Sequence, residues 1–582
     1  MRYYWLGSLL AFLTSACSTP SAGQHQASSP VHIRWARDPE TLDPQTLPNQ
    51  NAIDASNLLQ LALLQNDYAT GGYSPALVEA LPRVQLLADS LTLLDYHLRP
   101  QATWDSGQPV LATDVDFTLK LMQCPNLPNE GARIQFSFIR QVRADPADPR
   151  HFTFVCRGQA NEFIVSSGDY PIISEAALDP DHTLRPLSLA TLQDWPATRA
   201  PAPAVVALVR RYQQANPARH PERLPGCGPY RLAAWEPDRQ LVFQRKAHWW
   251  ADALPAAPAV LQAHPEQLIF NILPDDATAA LALRRHEVDV YPQVPARIFR
   301  QLQAAATVRQ AFAFYTKSSY DLVTAGFNVR QPALRHKLTR QALSRLFDPA
   351  QLMVATQLGQ GSRTVGLLPP GSPFYNDSLP LPAYAPKQAA ALLRQAGWRR
   401  LADGAWHHPA VAAPLALALR YRTDELTFTT VALQFQAAAA QLGIPVQLLP
   451  TEGSLLTSCL QSGDFDVYVR LIKGSSSGYN FGPILHTNAI NHGNVTGFGH
   501  PDTDRLLEHI ATEGNPRRKR LLLRRFQGML QDEMPILPLF FVPYRLAVSR
   551  QLHHVIASSL KPGYAATALS WPAADSLATR AH

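Results

Sequence analysis

The sequence predicts a multi-domain α/β protein, and three observations carry that prediction. Its 582 residues exceed one ordinary domain and can bury a large core. Residues 91–123 read as strand, tight turn and capped helix. LTLLDYHLRP has strand character, Trp104-Asp105-Ser106-Gly107-Gln108-Pro109 clusters turn formers, and Val115, Leu119 and Met122 then recur at helical spacing. Residues 414–446 read as a β-α-β unit, with a strand over 414–421, a helix over 428–442 and a second strand entered through Gly443-Ile444-Pro445-Val446. Hydrophobic content of 46% with 17% charged residues is that of a globular chain and sets disorder aside. Fifty prolines divide it into many short elements joined by stiff loops.

Taken in order, the chain begins with an address. Arg2 precedes an apolar run over 3–16 that is too short to span a bilayer and has the shape of a secretory h-region. Leu13-Thr14-Ser15-Ala16-Cys17 resembles a bacterial lipobox, in which Cys17 would be acylated and become the mature N-terminus; cleavage near Ala16 without lipidation is the alternative. Residues 18–30, rich in Ser, Ala, Gln and Pro, read as a tether. No later stretch of 18 or more apolar residues occurs, so the mature chain is not expected to cross the membrane.

The first strand is expected over 31–35, followed by Glu40-Thr41-Leu42-Asp43-Pro44, the amide-rich loop Pro48-Asn49-Gln50-Asn51 and a helix from about 52 to 64. Thr113 and Asp116 are spaced as a capping box, Thr-x-x-Asp, at the start of the next helix. Residues 150–157 alternate as a strand, and 196–222, rich in Ala, Pro and Arg, read as an insertion. In Gly226-Cys227-Gly228-Pro229-Tyr230 two glycines and a proline precede a strand and permit a tight turn. Without a lysine and a trailing helix this is not a phosphate loop. The next region is expected to begin near Gln267 with Ile269 to Asp275, followed by a helix over 277–285.

The formal charge of +7 is spread along the chain. Its densest basic run, Arg517-Arg518-Lys519-Arg520, is expected to be a solvated helix face, and no aromatic-basic interleaving supports nucleic-acid binding. Beyond Cys17 stand Cys124, Cys156, Cys227 and Cys459, which allow two disulfides in three pairings. Free buried thiols are the alternative. No cysteine has metal-ligand spacing, and His407-His408 and His553-His554 are adjacent, so each pair points apart. There is no G-x-S-x-G, H-E-x-x-H or C-x-x-C pattern, which leaves an enzyme reading little to hold.

Trp104, Gly107, Pro109, Ala112, Asp114, Val115 and Phe117 match W/F-x-D-G-x-P-x-x-A-x-D-V-x-F. In this the chain resembles the extracytoplasmic solute-binding proteins of oligopeptide, dipeptide and nickel ABC importers (family 5 solute-binding proteins). Leu111 stands where that family usually caps the helix with Thr, which would start the helix two residues later. Further landmarks follow in the family's order: Thr41-Leu42-Asp43-Pro44, then Gly226 to Tyr230 with Cys227 for Thr, then Glu287-Val288-Asp289 with His286 for Gly. Phe327-Asn328, Arg340 with Asp348, the proline-rich 368–373, Tyr384 to Trp398, Gly463-Asp464-Phe465-Asp466, 497–507 and 534–539 complete the set. The resemblance covers about 31–560, and the order of the landmarks carries its specificity.

The resemblance implies a two-lobed α/β periplasmic-binding-protein-like fold (type II, cluster C-like) with a small inserted domain and a hinge. It implies a first lobe from 31–75, 178–266 and 495–582, an inserted lobe over 76–177 and a second ligand-binding lobe over 267–494. Cys124 with Cys156 is the favoured pairing because both fall in the inserted lobe. The function implied is a monomeric receptor with no cofactor and no metal, lipid-anchored through Cys17 on the outer side of the cytoplasmic membrane. It would capture a peptide or similar small solute and deliver it to an ABC permease and ATPase. A secreted hydrolase and a transporter-independent envelope receptor or chaperone are the rivals.

Peptide binders of that family place an Asp after the strand that follows G-D-F-D, where it pairs with the peptide ammonium. Here that stretch has no carboxylate and carries Arg470 and Lys473. A free-amine peptide is therefore expected not to be held in the usual way, which leaves an anionic or neutral solute. Candidate ligand-binding residues are Arg470, Lys473, Ser475, Ser476 and Tyr479 on one side, Asn49 and Gln50 on the other, and Trp104 as an apolar wall. The opposing reading turns both cations to solvent, leaves the serines in a loop and puts Trp104 in the core.

Overall fold

A computed structural model describes residues 29–46, 49–87, 90–127, 129–159, 162–196, 199–423, 425–476 and 479–572. Cys17, its lipobox and Pro48 lie outside the described residues. Two large sheets and one small one organise the chain. In the first sheet the strand Val31–Trp35 is central and runs parallel to Gln267–Ile272 on one side and Val290–Pro292 on the other. The strands Gln240–Arg245 and Tyr230–Glu236 extend one edge antiparallel, and Tyr544–Ser549 and Phe312–Lys317 extend the other. Val31 and Ile33 are fully buried, as an alternating strand with helices and loops on its faces requires.

The second sheet is ordered Ser362–Arg363, Ile536–Phe541, Asp321–Phe327, Val467–Lys473, Leu417–Arg422, Val446–Thr451. Every residue of Asp321–Phe327 is buried, because both faces are covered. Leu322 packs with Phe526 and Ile536 on one face, while Val323, Ala325 and Phe327 pack with Phe347 and Phe435 on the other. The small sheet is antiparallel, ordered Arg83–Leu87, Leu91–His97, His151–Arg157, Ile139–Ala144, and shares a core with the first sheet.

The boundary expected at 267 moves later in the chain. Three strands between 267 and 317 pair within the first sheet, and the second sheet begins at Asp321. Its far end also lies later than 494: the helices Pro501–Thr512 and Pro516–Glu533 pack on Leu322 and Ile536, and the chain returns to the first sheet only at Tyr544. Strand periodicity records a face, not a sheet, which is why sequence alone misassigned these segments.

Several landmarks prove to be joints. Asp114 accepts hydrogen bonds from the Trp104 indole (3.2 Å), the Leu111 amide (2.9 Å) and the Glu175 amide (2.8 Å), tying turn, helix start and lobe return together. The helix therefore starts at Ala112, with Asp114 reaching back to the first free amide, and not at the expected Thr113 box. Burial pushes the Asp114 carboxyl up to about 6 despite these donors. A Cβ on Gly228 would stand 2.5 Å from the Leu58 carbonyl oxygen, so the glycine lets this strand entrance close on the end of the helix Gln50–Leu59. That helix is shorter than expected because 64–67 forms a strand. The expected insertion contains the helix Pro203–Ala215, packed on Phe117 and Leu121.

The Cys124–Cys156 pairing is overturned: the four described cysteines are free. Cys124 ends the helix of the Trp104 motif among Leu121, Leu127 and Leu178, whereas Cys156 lies in a strand facing a different core. Burial pushes both thiols up to about 12.

Candidate functional site

Two chain crossings join the large sheets, side by side. One runs from Phe312–Lys317 into Asp321–Phe327, the other from Ile536–Phe541 into Tyr544–Ser549. Lys317 pairs with Tyr544 and Leu322 with Phe541, so the crossings form one antiparallel ribbon. Its middle is held by Val542 N donating to the Asp321 carbonyl (3.0 Å) and by Ser319 Oγ donating to the Val542 carbonyl. Lys561, from the C-terminal loop of the first lobe, meets Asp321 at 3.2 Å. A ribbon of two short strands between two packed bodies is hinge geometry.

A cleft with two chambers opens beside this hinge, and Gln50 and Lys561 belong to both. The first, about 730 Å³, is bounded by Arg37, Asn49 and Asp54 on one lobe and by Arg422, Arg470 and Lys473 on the other. The second, about 630 Å³, is bounded by Gln45, Met122, Phe136 and Tyr170 against Tyr320 and Ser475. Each has the size of a small-molecule site.

Five of the expected site residues come together here: Asn49 and Gln50 on one wall, Arg470, Lys473 and Ser475 on the other. Asn49 shapes the wall with both ends of its amide in use: Oδ1 accepts from Ala52 N (3.0 Å), and Nδ2 donates to the Pro39 carbonyl (3.0 Å). Gln50 Nε2 donates to Asp54 Oδ1 at 2.8 Å. The Arg470 guanidinium lies 4.9 Å from the centre of the Tyr468 ring, which orients it. Three expected residues lie elsewhere. Trp104 is in the core, drawn in by Asp114. Tyr479 packs edge-on against Phe374 and donates to the Ser476 carbonyl (3.1 Å), and neither Tyr479 nor Ser476 borders a chamber.

Sequence reasoning missed Arg37, Arg422, Lys561, Gln45 and Tyr170, which reach the cleft from distant segments. The electrostatics are mainly cationic. Arg34 is paired with Asp276 at 3.0 Å and Lys561 with Asp321, while Lys473 makes no ion pair among the described residues. Partial loss of water, then the positive field of Lys561, holds the Lys473 ammonium below its ordinary pKa; Asp321 opposes, and Arg37 and Arg422 add to the lowering. Burial raises the Asp54 carboxyl to about 7 against the opposing effects of Gln50 and Lys561. Asp169, in the wall of the second chamber and bonded by the Tyr73 hydroxyl (2.9 Å), is raised as well, by burial.

At the rim far from the hinge the lobes touch again. Lys519, its side chain 2% exposed, pairs with Glu162, and a Cβ on Gly158 would lie 3.7 Å from the Thr512 methyl. The basic run of 517–520 is thus not solvated throughout: Lys519 turns into the interface while its neighbours face out.

A family model described as bacterial extracellular solute-binding proteins, family 5 Middle, matches residues 73–489. The dipeptide-binding protein of Escherichia coli (strain K12) is 25% identical over 407 residues, 67% of this chain and 66% of that protein. The chain thus spans just under two thirds of that relative's length. The oligopeptide-binding protein AppA of Bacillus subtilis, solved with a nonapeptide, superposes with a TM-score of 0.75 at 16% identity, covering 94% of this chain and 99% of that one. NikZ of Campylobacter jejuni, solved with Ni(L-His), gives 0.72 at 16%, covering 93% and 99%. At such identity the likeness is one of fold.

Proposed function

The chain belongs to the bacterial extracellular solute-binding proteins of family 5, and from that premise we propose that it is the ligand-binding receptor of an ABC importer. It captures a peptide or similar small solute between its lobes and delivers it unaltered to a membrane permease and ATPase. The observation that carries this reading is the two-chambered cleft beside a two-strand hinge, with a second interlobe contact at the far rim. Cargo that touches both walls has contacts only when the walls are together, so it shifts the population toward closure. No bond need be made or broken.

In this reading acylated Cys17 holds the receptor to the outer face of the cytoplasmic membrane, residues 18–30 are the tether, and the receptor acts as a monomer. Among the described residues no helix is long and apolar enough to cross a membrane. Dipeptide binding in the Escherichia coli relative and the bound nonapeptide and Ni(L-His) of the solved neighbours support cargo of this general size.

The test is to purify the chain lacking residues 1–17, release any copurifying solute by denaturation and identify it by mass spectrometry. Returned to refolded protein at a hundredfold excess over Kd, the solute should stabilise it by about 2.7 kcal/mol, read as a rise in Tm, and be recovered unchanged. Steady chemical conversion of the solute would overturn the receptor reading in favour of a hydrolase.

A further inference from the structure

The two chambers ask for different chemistry. In the first, Arg37, Arg422, Arg470, Lys473 and Lys561 converge from both lobes. Three acids line the same chamber, Glu40, Asp54 and Glu425, and Asp321 pairs Lys561 and stands opposite Lys473 beside it. Glu40 is exposed at the edge, Asp54 is engaged by Gln50, and its carboxyl holds its proton up to about pH 7. Converging cations repel one another, and closing the lobes removes the water that screens them. An anion placed between them relieves that repulsion, whereas an ammonium adds to it.

The second chamber carries an independent signal. Gln45 is 8% exposed, and neither its amide nitrogen nor its amide oxygen has a partner. Tyr170 is 3% exposed and its hydroxyl is unpartnered. Both border the cavity. A buried amide with both ends unmet is unfavourable by itself, and a bound group that supplies an acceptor and a donor favours turning the Gln45 side chain into the chamber it borders. Asp169 in the same wall is engaged by the Tyr73 hydroxyl (2.9 Å), and burial raises its carboxyl and so disfavours its charged form. An uncharged amide or hydroxyl answers both ends of Gln45, and Met122 and Phe136 offer an apolar surface for what carries it.

We propose, on the receptor reading above, that the cargo is an elongated anion without a free ammonium group. Its carboxylate end lies among Arg37, Arg470, Lys473 and Lys561, and its uncharged amide-bearing end reaches Gln45 and Tyr170 past the shared residue Gln50. An N-blocked acidic peptide is the simplest compound of that class. The absence of a carboxylate in the stretch from Val467 to Ser476, where a peptide ammonium would need one, falls into place with this chemistry.

Titration calorimetry on the chain lacking residues 1–17 tests it with two probes, N-acetyl-alanyl-glutamate and trialanine with a free N-terminus. The acetylated acid should bind and trialanine should not. Lys473→Gln, at an exposed position, should weaken the acetylated acid by about tenfold or more, and Lys473→Glu, which also faces Asp321, by more still. Gln45→Leu, which removes the unmet amide at similar volume, should weaken it about tenfold while raising Tm, because an unpaired buried polar group is gone. Trialanine binding at least as tightly as the acetylated acid, or a Lys473→Gln affinity within twofold of the parent, would overturn the proposal. Trialanine bound with lobe closure would do so while leaving the receptor reading intact.

Discussion

The two ends of the cleft are joined by different physics. At the hinge, two strands run from sheet to sheet, and the ion pair Lys561–Asp321 sits on the ribbon with side chains 20% and 5% exposed. At the far rim no strand crosses; the lobes meet through Lys519 and Glu162, and one Glu162 oxygen is buried with no partner. A rotation about the ribbon moves the first pair least and the second most. The hinge pair therefore keeps the lobes in register through the motion, whereas the rim pair exists only in the closed state. A buried ion pair gains little net free energy, because desolvation offsets the attraction, but it tolerates no misalignment. Such a contact makes closure specific without making it adhesive, which suits a receptor that must reopen.

The largest effect expected of any change follows from that contrast. Lys519→Ala leaves the Glu162 carboxylate buried opposite nothing, and should weaken the closed state by about 3–5 kcal/mol. Small-angle scattering should then show a larger radius of gyration with cargo present, and cargo affinity should fall by two orders of magnitude or more, with Tm of the lobes little moved. An unchanged shape and affinity would remove the distinction between rim and hinge. The paired change Lys519→Met with Glu162→Leu sharpens it: apolar packing in place of the pair should be neutral or favour closure by about 1–4 kcal/mol. That variant is expected to be compact without cargo.

A change of pH acts on the hinge side through Asp54. Asp54 stands beside Gln50 and Lys561 in the chamber wall, with Tyr68, Tyr544 and Tyr564 around it, and burial raises its carboxyl to about 7 from the usual value near 3.9. Between those values the folded chain holds a proton that the unfolded chain has released. Its contribution is therefore full below about pH 4, falls as pH rises toward 7 and is flat beyond. The carboxyl borders an open chamber and is only half-buried, which limits the loss to the order of 2 kcal/mol. Denaturant midpoints at pH 5 and pH 8 should differ in that direction, and Asp54→Asn should flatten the difference. Asp289, also raised to about 7, contributes with the same sign and supplies the residue of the effect that Asp54→Asn leaves.

Much of the fold was legible because the landmark residues are joints, and joints have local causes. Gly228 is demanded by a carbonyl 2.5 Å from where its Cβ would be, and Arg340 by the carbonyls of Leu334 (2.8 Å) and Glu533 (2.8 Å) that its guanidinium ties together. His286, standing where the family has Gly, keeps the left-handed backbone with φ of 58° and stacks on Phe312. The site was legible on one wall only. Arg470 and Lys473 share a strand and announce themselves by a missing carboxylate, whereas Lys561 and Arg37 reach the same chamber from opposite ends of the chain, and no local pattern couples them. Trp104 shows the opposite failure: its partner Asp114 stood in the same motif, and an indole ten residues from a buried carboxylate is as much a core hydrogen bond as a cleft wall.

The smallest effect expected is also the one that tests the hinge most directly. Asp321 stands opposite Lys473 in the second sheet and accepts Lys561 from the first lobe, so one carboxylate faces a cation of each wall. Asp321→Asn keeps the shape and the ribbon hydrogen bonds of the backbone but withdraws that charge. Asp321 is as buried as the rim pair, but Asn leaves an amide oxygen for Lys561, which is 20% exposed at the chamber wall, so the loss of stability should stay below that at the rim. The two lysines, no longer offset, then present more positive charge to the chamber. The empty protein should open slightly, and an acidic probe such as N-acetyl-alanyl-glutamate should bind a few-fold tighter, with a steeper loss of affinity as salt is raised. A hinge that served only as a strap would show neither change. The steepness of the salt dependence therefore separates a charge-bearing hinge from a passive one.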